Sequence, residues 1–208
     1  MVPVQFITHQ TEQYGYEESA LLALRGGCRW IQLRMKEATE AEAAAVAGRL
    51  LKACREQGAT FIIDDRVELA RSVGADGVHL GKSDMPVREA RRLLGEGFLI
   101  GGTANTLDDV ERLWKEGADY VGCGPYRFTE TKKNLAPLLG LDGYRAILSG
   151  MKERGIRLPL CAIGGIELAD VGQLLDAGVQ GIAVSGCVLR AADPAAAMRA
   201  LLDADGED

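Results

Sequence analysis

Gln32, Arg34 and Lys36 alternate with Leu33 and Met35, so along an extended chain all three point the same way. An amide and two cations in a row suit a diphosphate, with the Arg34 guanidinium forking onto phosphate oxygens and Lys36 acting as a point charge. A solvated sheet edge accounts for the same residues equally well. Two acidic positions follow, Asp65 within Asp64-Asp65-Arg66 and Asp84 at the end of His79-Leu80-Gly81-Lys82-Ser83-Asp84. Carboxylates on neighbouring strand ends make a site for Mg2+, which takes few carboxylates and completes its shell with water and phosphate oxygen. Asp84 has a competing role as a helix cap ahead of Pro86.

A third cluster runs from Gly122 to Lys133, where Gly-Cys-Gly-Pro leads into Tyr126-Arg127-Phe128-Thr129-Glu130-Thr131-Lys132-Lys133. Hydroxyls and adjacent lysines on a glycine-tethered loop could close over a phosphorylated ligand, although a loop of this composition is more often only a loop. Ile163-Gly164-Gly165-Ile166 and Ala183-Val184-Ser185-Gly186, the latter followed by a short helix from Cys187 to Arg190, offer backbone N–H groups for a phosphate. Packing glycines are the alternative. The two histidines, His9 and His79, have no nucleophile or acidic partner by spacing, and His79 reads as a hydrogen-bonded side chain near a barrel wall.

These residues must be held by repeated elements. An amphipathic segment, a closing glycine and a short apolar run recur along the chain, with the glycines at Gly26-Gly27, Gly58, Gly74, Gly117 and Gly178. The glycine suits the left-handed residue that ends a helix, and the weak alternation of the apolar runs suits parallel strands covered on both faces. Strands are expected at Val2–Thr8, Arg29–Met35, Phe61–Asp64, Gly77–Gly81, Phe98–Thr103, Tyr120–Gly124, Leu158–Gly164 and Gly181–Ser185. Thr39 and Glu42 form a capping box before a helix, Asp193 caps one that starts at Pro194, and Pro86 fits a first-turn position.

Alternating strand and helix leaves an open doubly wound sheet or a closed barrel. The first strand is followed by Thr8-His9-Gln10-Thr11 with no glycine fingerprint, which favours a single (β/α)8 TIM barrel over residues 1–203, with a phosphate site at the ends of strands 7 and 8. Residues 204–208 form an acidic tail expected to fray. The net charge of −6 over 208 residues argues against a nucleic-acid surface. No apolar run is long enough to span a bilayer and no leader is evident, so the cytoplasm is the expected compartment. The five cysteines stand singly and read as buried thiols.

Read in order, these clusters resemble the thiamine phosphate synthase family over nearly the whole chain: Gln-Leu-Arg-Met-Lys at 32–36, Asp-Asp-Arg at 64–66, Gly-Ala-Asp-Gly-Val-His-Leu-Gly at 74–81, Asp84, Gly-Pro at 124–125, Thr-Glu-Thr-Lys-Lys at 129–133 and Ile-Gly-Gly-Ile at 163–166. The resemblance implies a Mg2+-dependent transferase that joins 4-amino-2-methyl-5-(diphosphooxymethyl)pyrimidine to thiazole phosphate and releases pyrophosphate. Gln32, Arg34, Lys36 and Lys132 would hold the pyrimidine diphosphate, with Lys132, Arg34 and Lys36 carrying the departing charge. Asp65 and Asp84 would hold Mg2+. Thr129, Thr131, Gly165, Val184 and Ser185 would hold the thiazole phosphate, and Thr103 and Asp64 would lie near the pyrimidine. The implied partners are these small molecules, with neither nucleic acid nor membrane, and a homo-oligomer is left open.

Four residues depart from the pattern. Asp64 stands where Asn is usual, Lys82 where Gln is usual, and Thr103 and Asn105 where Ser and His are usual. An ionised Asp64 accepts but does not donate, and could still accept from the pyrimidine amino group. Asn105 also bears on the sister reading, a TenI-like thiazole tautomerase, whose proton transfer needs an acid or base at the histidine position. A non-catalytic thiazole phosphate-binding regulator would have lost the metal carboxylates or the diphosphate cations, and this sequence carries both sets.

Overall fold

The computed structural model describes residues 3–128 and 137–204. Thr129, Thr131 and Lys132 of the expected site, and residues 205–208 of the expected tail, lie outside the described residues. The chain begins β1 (Val4–Ile7), α1 (Tyr16–Arg25), β2 (Trp30–Leu33), α2 (Glu40–Glu56), β3 (Thr60–Asp64) and α3 (Val67–Val73). It continues through β4 (Gly77–Leu80), α4 (Val87–Leu94), β5 (Leu99–Ala104), α5 (Leu107–Glu116), β6 (Tyr120–Cys123) and α6 (Gly140–Glu153). The last part holds β7 (Leu160–Ile163), α7 (Val171–Asp176), β8 (Gly181–Val184), α8 (Gly186–Leu189) and α9 (Pro194–Asp203). All strand pairs are parallel and β1 closes onto β8, which makes the expected (β/α)8 TIM barrel.

Of the glycines expected to end helices, Gly74 and Gly117 do so by turning the chain left-handed, with φ of +75° and +87°, a region that a Cβ disfavours, whereas Gly26 caps α1 with φ −74°. The Thr39–Glu42 capping box forms, and Asp193 accepts from the Ala196 N–H with Pro194 in the first turn. Pro86 is a correction: it is the N-cap of α4, one residue outside the first turn. The capping role weighed for Asp84 is corrected too, because this side chain accepts from the Gly81 N–H at 2.7 Å and braces the loop instead.

Side chains alternate between the barrel interior and the helix layer. Phe6, Ile31, Phe61 and Ile100 are fully buried in the apolar layer. Inside the barrel, Trp30 and His79 meet the ring of Tyr120 at centroid distances of 4.9 and 5.6 Å, and Gln5 donates to its hydroxyl at 3.1 Å. Space for that ring comes from β5, since a Cβ on Gly101 would overlap it. Cys28, Cys54, Cys123 and Cys161 are buried and Cys187 is half-buried; burial pushes the Cys54 thiol up to about 12 and that of Cys187 to about 11. No described helix is long and apolar enough to cross a membrane.

Candidate active site

A cavity of about 790 Å³ opens where the strands end at their carboxyl side, the functional end of such barrels. One side of it carries Gln32, Arg34, Lys36, Asp64, Asp65 and Asp84, and the other carries Gly165, Val184 and Ser185, with Thr103 between them. Every expected site residue within the described part of the chain thus faces one space.

The charged side is built by three strands. β2 stops at Leu33, short of the expected Met35, so Arg34 and Lys36 stand on the loop beyond it. That loop is pinned from both flanks: the Arg34 N–H donates to Thr8 Oγ1 at 2.9 Å, and Arg66 donates to the carbonyls of Met35 and Ala38 at 3.1 and 2.5 Å. Leu33 and Met35 are thereby turned into the apolar layer, and the two cations face the cavity. Asp65 continues β3 with φ +62°, a left-handed conformation that Asp tolerates better than most residues, and its N–H donates to the His79 carbonyl at 2.9 Å.

Charges are crowded here. Lys36 Nζ lies 2.8 Å from Asp65 Oδ2 and 4.0 Å from Asp64 Oδ2, and Arg34 Nε lies 3.5 Å from Asp64 Oδ2. Burial, then the neighbouring Asp65 carboxylate, push Asp64 up to about 7 against the pull of both cations. Burial also raises Asp84, helped by a hydrogen bond it shares with Asp65. For Asp65 the burial effect is outweighed by that bond and by Lys36, leaving the carboxyl below the usual range. Lys36 is held above its ordinary value because its carboxylate neighbours outweigh burial.

Deeper in the barrel, the His79 imidazole spans Tyr120 and Thr103. Its Nδ1 lies 3.1 Å from the Tyr120 hydroxyl and its Nε2 lies 3.0 Å from Thr103 Oγ1. Gly122 makes room for it, since a Cβ there would sit 3.0 Å from the imidazole. The wall position read from the sequence is met, and the ring orients Thr103 at the floor of the cavity.

Opposite the charges, Gly164 and Gly165 turn the chain with φ +96° and +70°. The turn is braced by the loop after β6: the Tyr126 and Arg127 N–H groups donate to the carbonyls of Ile163 and Gly164 at 2.9 and 3.0 Å. Arg127 Nη2 also lies 2.5 Å from Oδ1 of Asp170, a carboxylate that accepts from the Glu167 N–H at 2.8 Å. This latch was not read from the sequence, because Asp170 sits in an unremarkable Leu-Ala-Asp-Val stretch with nothing to flag a partner 43 residues away. Ser185 Oγ is buried and has no hydrogen-bond partner among the described residues.

Comparison with known proteins decides the family. Residues 4–188 match the family described as Thiamine monophosphate synthase. The thiamine-phosphate synthase of Bacteroides thetaiotaomicron is 61% identical over 203 residues, covering 98% of this chain and 97% of that protein. That of Phocaeicola vulgatus is 57% identical over 202 residues, covering 97% of each. The chain belongs to the thiamine monophosphate synthase family. A solved thiamine phosphate pyrophosphorylase from Pyrococcus furiosus superposes with a TM-score of 0.86 at 34% identity, covering 98% of this chain and 95% of that one.

Within this family of transferases, the departures at Lys82 and Asn105 share one network. Lys82 pairs with Asp109 at 2.6 Å, and Asp109 also accepts from the Asn105 N–H at 2.9 Å. Asn105 in turn donates its amide to the Gly124 carbonyl at 2.5 Å. These residues tie the ends of β4, β5 and β6 together at the cavity edge.

Proposed function

We propose that the chain condenses 4-amino-2-methyl-5-(diphosphooxymethyl)pyrimidine with thiazole phosphate, giving thiamine phosphate and pyrophosphate. The carrying observation is the division of one cavity into a side with two cations beside paired carboxylates and a side built on glycine backbone and a buried hydroxyl. The first suits a diphosphate and the second a phosphate monoester. Family membership supports the same pair of substrates.

Asp65 and Asp84 are assigned to Mg2+. Their fit is chemical: two carboxyls from neighbouring strand ends line one cavity and lie close enough to share a hydrogen bond, so a divalent cation would take the place of the proton between them. Among the described residues no group of three or more His, Cys, Asp and Glu side chains is placed to hold a metal ion, so the rest of the shell falls to diphosphate oxygens and water, as this ion prefers. When bound, Mg2+ would offset charge on the departing pyrophosphate.

In this reading Gln32, Arg34, Lys36 and Lys132 grip the diphosphate, and the three cations stabilise the charge that builds as the bond between the pyrimidine methylene carbon and the diphosphate oxygen breaks. Asp64 and Thr103 face the pyrimidine. Thr129, Thr131, Gly165, Val184 and Ser185 hold the thiazole phosphate so that its ring nitrogen forms the new bond to the methylene carbon. No protein nucleophile is required. The compartment is taken to be the cytoplasm, where unpaired thiols persist.

The test is direct: both substrates are mixed with the chain and Mg2+, and thiamine phosphate is sought by mass. Product that vanishes with chelator supports the proposal, and no product under any divalent cation sinks it. Isomerisation of a thiazole substrate alone would instead favour a tautomerase, a reading disfavoured by the Asn105 amide, which acts as neither acid nor base near neutral pH.

A further inference from the structure

Five cationic side chains line the cavity among the described residues: Arg34, Lys36, Lys82, Arg127 and Arg190. The first two face Asp64 and Asp65, and Lys82 is paired with Asp109 at 2.6 Å. That leaves Arg127 and Arg190 beside the strand ends β7 and β8. Arg127 is neutralised at 2.5 Å by Asp170, a carboxylate only 4% exposed. Arg190 is held far more loosely, with Nη2 3.9 Å from Glu167 Oε1 and both side chains largely exposed.

Arg190 also folds back along α8, so that a Cβ on Gly186 would collide with its guanidinium. Gly186 is the neighbour of Ser185, whose buried hydroxyl has no partner among the described residues. A phosphate monoester brings up to two negative charges, and backbone N–H groups offer hydrogen bonds without net charge. A four-residue helix adds little, because its macrodipole is small. Among the described residues on this side, Arg190 is the guanidinium held loosely enough to change partners.

We propose that Arg190 is a further substrate-binding residue: it exchanges Glu167 for the phosphate of the thiazole substrate and distinguishes that phosphate from the free alcohol. This rests on the reading that thiazole phosphate occupies the β7–β8 side. A guanidinium fork on a phosphate is among the stronger charge-assisted contacts, whereas an exposed pair at 3.9 Å contributes little, so the exchange favours the ligand.

The experiment is calorimetry on the full chain with thiazole phosphate and with the same thiazole carrying a free hydroxyl, alongside steady-state kinetics. Arg190→Met should weaken thiazole phosphate binding by about tenfold or more and barely change binding of the alcohol. Arg190→Lys should fall between, and Glu167→Gln should tighten the phosphate ligand. The Michaelis constant for thiazole phosphate should rise while turnover at saturation stays near the parent value. Equal affinity of the parent and Arg190→Met for thiazole phosphate overturns the role of Arg190 and leaves the functional reading standing. Failure of the parent chain to bind thiazole phosphate overturns both.

Discussion

The Gln32 amide nitrogen donates to Asp64 Oδ1 at 2.6 Å, and the two residues are only 2% and 8% exposed. Gln32 Oε1 has no hydrogen-bond partner among the described residues, and Asp64 Oδ2 makes only ion pairs, with Arg34 at 3.5 Å and Lys36 at 4.0 Å. Such atoms are costly unless a ligand supplies donors, and an exocyclic amino group is a ligand of that kind.

Asp64 makes the chain's stability depend on pH. Its folded value of about 7 is raised above the ordinary carboxyl, so the folded state keeps a proton that the unfolded chain gives up near pH ~4. Stability therefore falls as pH rises from about 4 towards about 7 and levels off above. Asp64→Asn should flatten this profile and be more stable than the parent at pH 8. Denaturant melts of the metal-free chain at pH 5 and pH 8 read the difference, and parallel profiles for parent and variant would count against the buried proton.

Asp65 separates stability from function, because φ +62° disfavours a side chain branched at Cβ. Stability should follow Gly and Asn above Ala and Val at this position, across roughly 1–2 kcal/mol, while all four lose most Mg2+-dependent turnover. A replacement that keeps full turnover in chelator would remove Asp65 from the metal assignment.

Gly165 has φ +70°, and a Cβ there would sit 2.5 Å from Arg127 Cγ and 2.9 Å from the Phe128 carbonyl oxygen. Gly165→Val should therefore displace the loop after β6, weaken thiazole phosphate binding and leave pyrimidine diphosphate binding nearly unchanged. Calorimetry that finds equal losses for the two ligands would contradict the division of the cavity.

Tyr120 joins Gln5 and His79 through one hydroxyl. Tyr120→Phe deprives both buried partners and should cost about 1–3 kcal/mol in chemical denaturation. An unchanged midpoint would mean that water replaces the hydroxyl.

In the proposed function Lys132 acts on the leaving group. If its charge acts mainly as the diphosphate departs, Lys132→Ala should lower turnover by roughly 10²-fold and raise the Michaelis constant for the pyrimidine diphosphate by much less. A change confined to that constant would make Lys132 a binding residue only.

Strand count was legible because each repeat carries its own stop signal, and Gly74 and Gly117 take the left-handed turn that a glycine after an amphipathic run implies; closure was legible from the missing glycine fingerprint after β1. Strand ends were less legible. β2 stops at Leu33 because Thr8 and Arg66, distant in sequence, capture the backbone around Arg34 and Met35. The charged side could be read from Gln32, Arg34, Lys36, Asp65 and Asp84 since their types are unusual at strand ends. Pairs such as Arg127 with Asp170 and Lys82 with Asp109 could not, because a lone charge in a loop does not announce its partner across the barrel.

The fit of Tyr120 against Gly101 restricts the order in which this barrel can change over evolutionary time. Any larger residue at 101 collides with the ring, so it must wait until position 120 has already become small. Shrinking 120 first takes one hydrogen bond from Gln5 and one from His79 and passes through a weakened intermediate. The two positions should therefore drift as a pair, and a library that varies them singly will find the interior far less tolerant than one that varies them together.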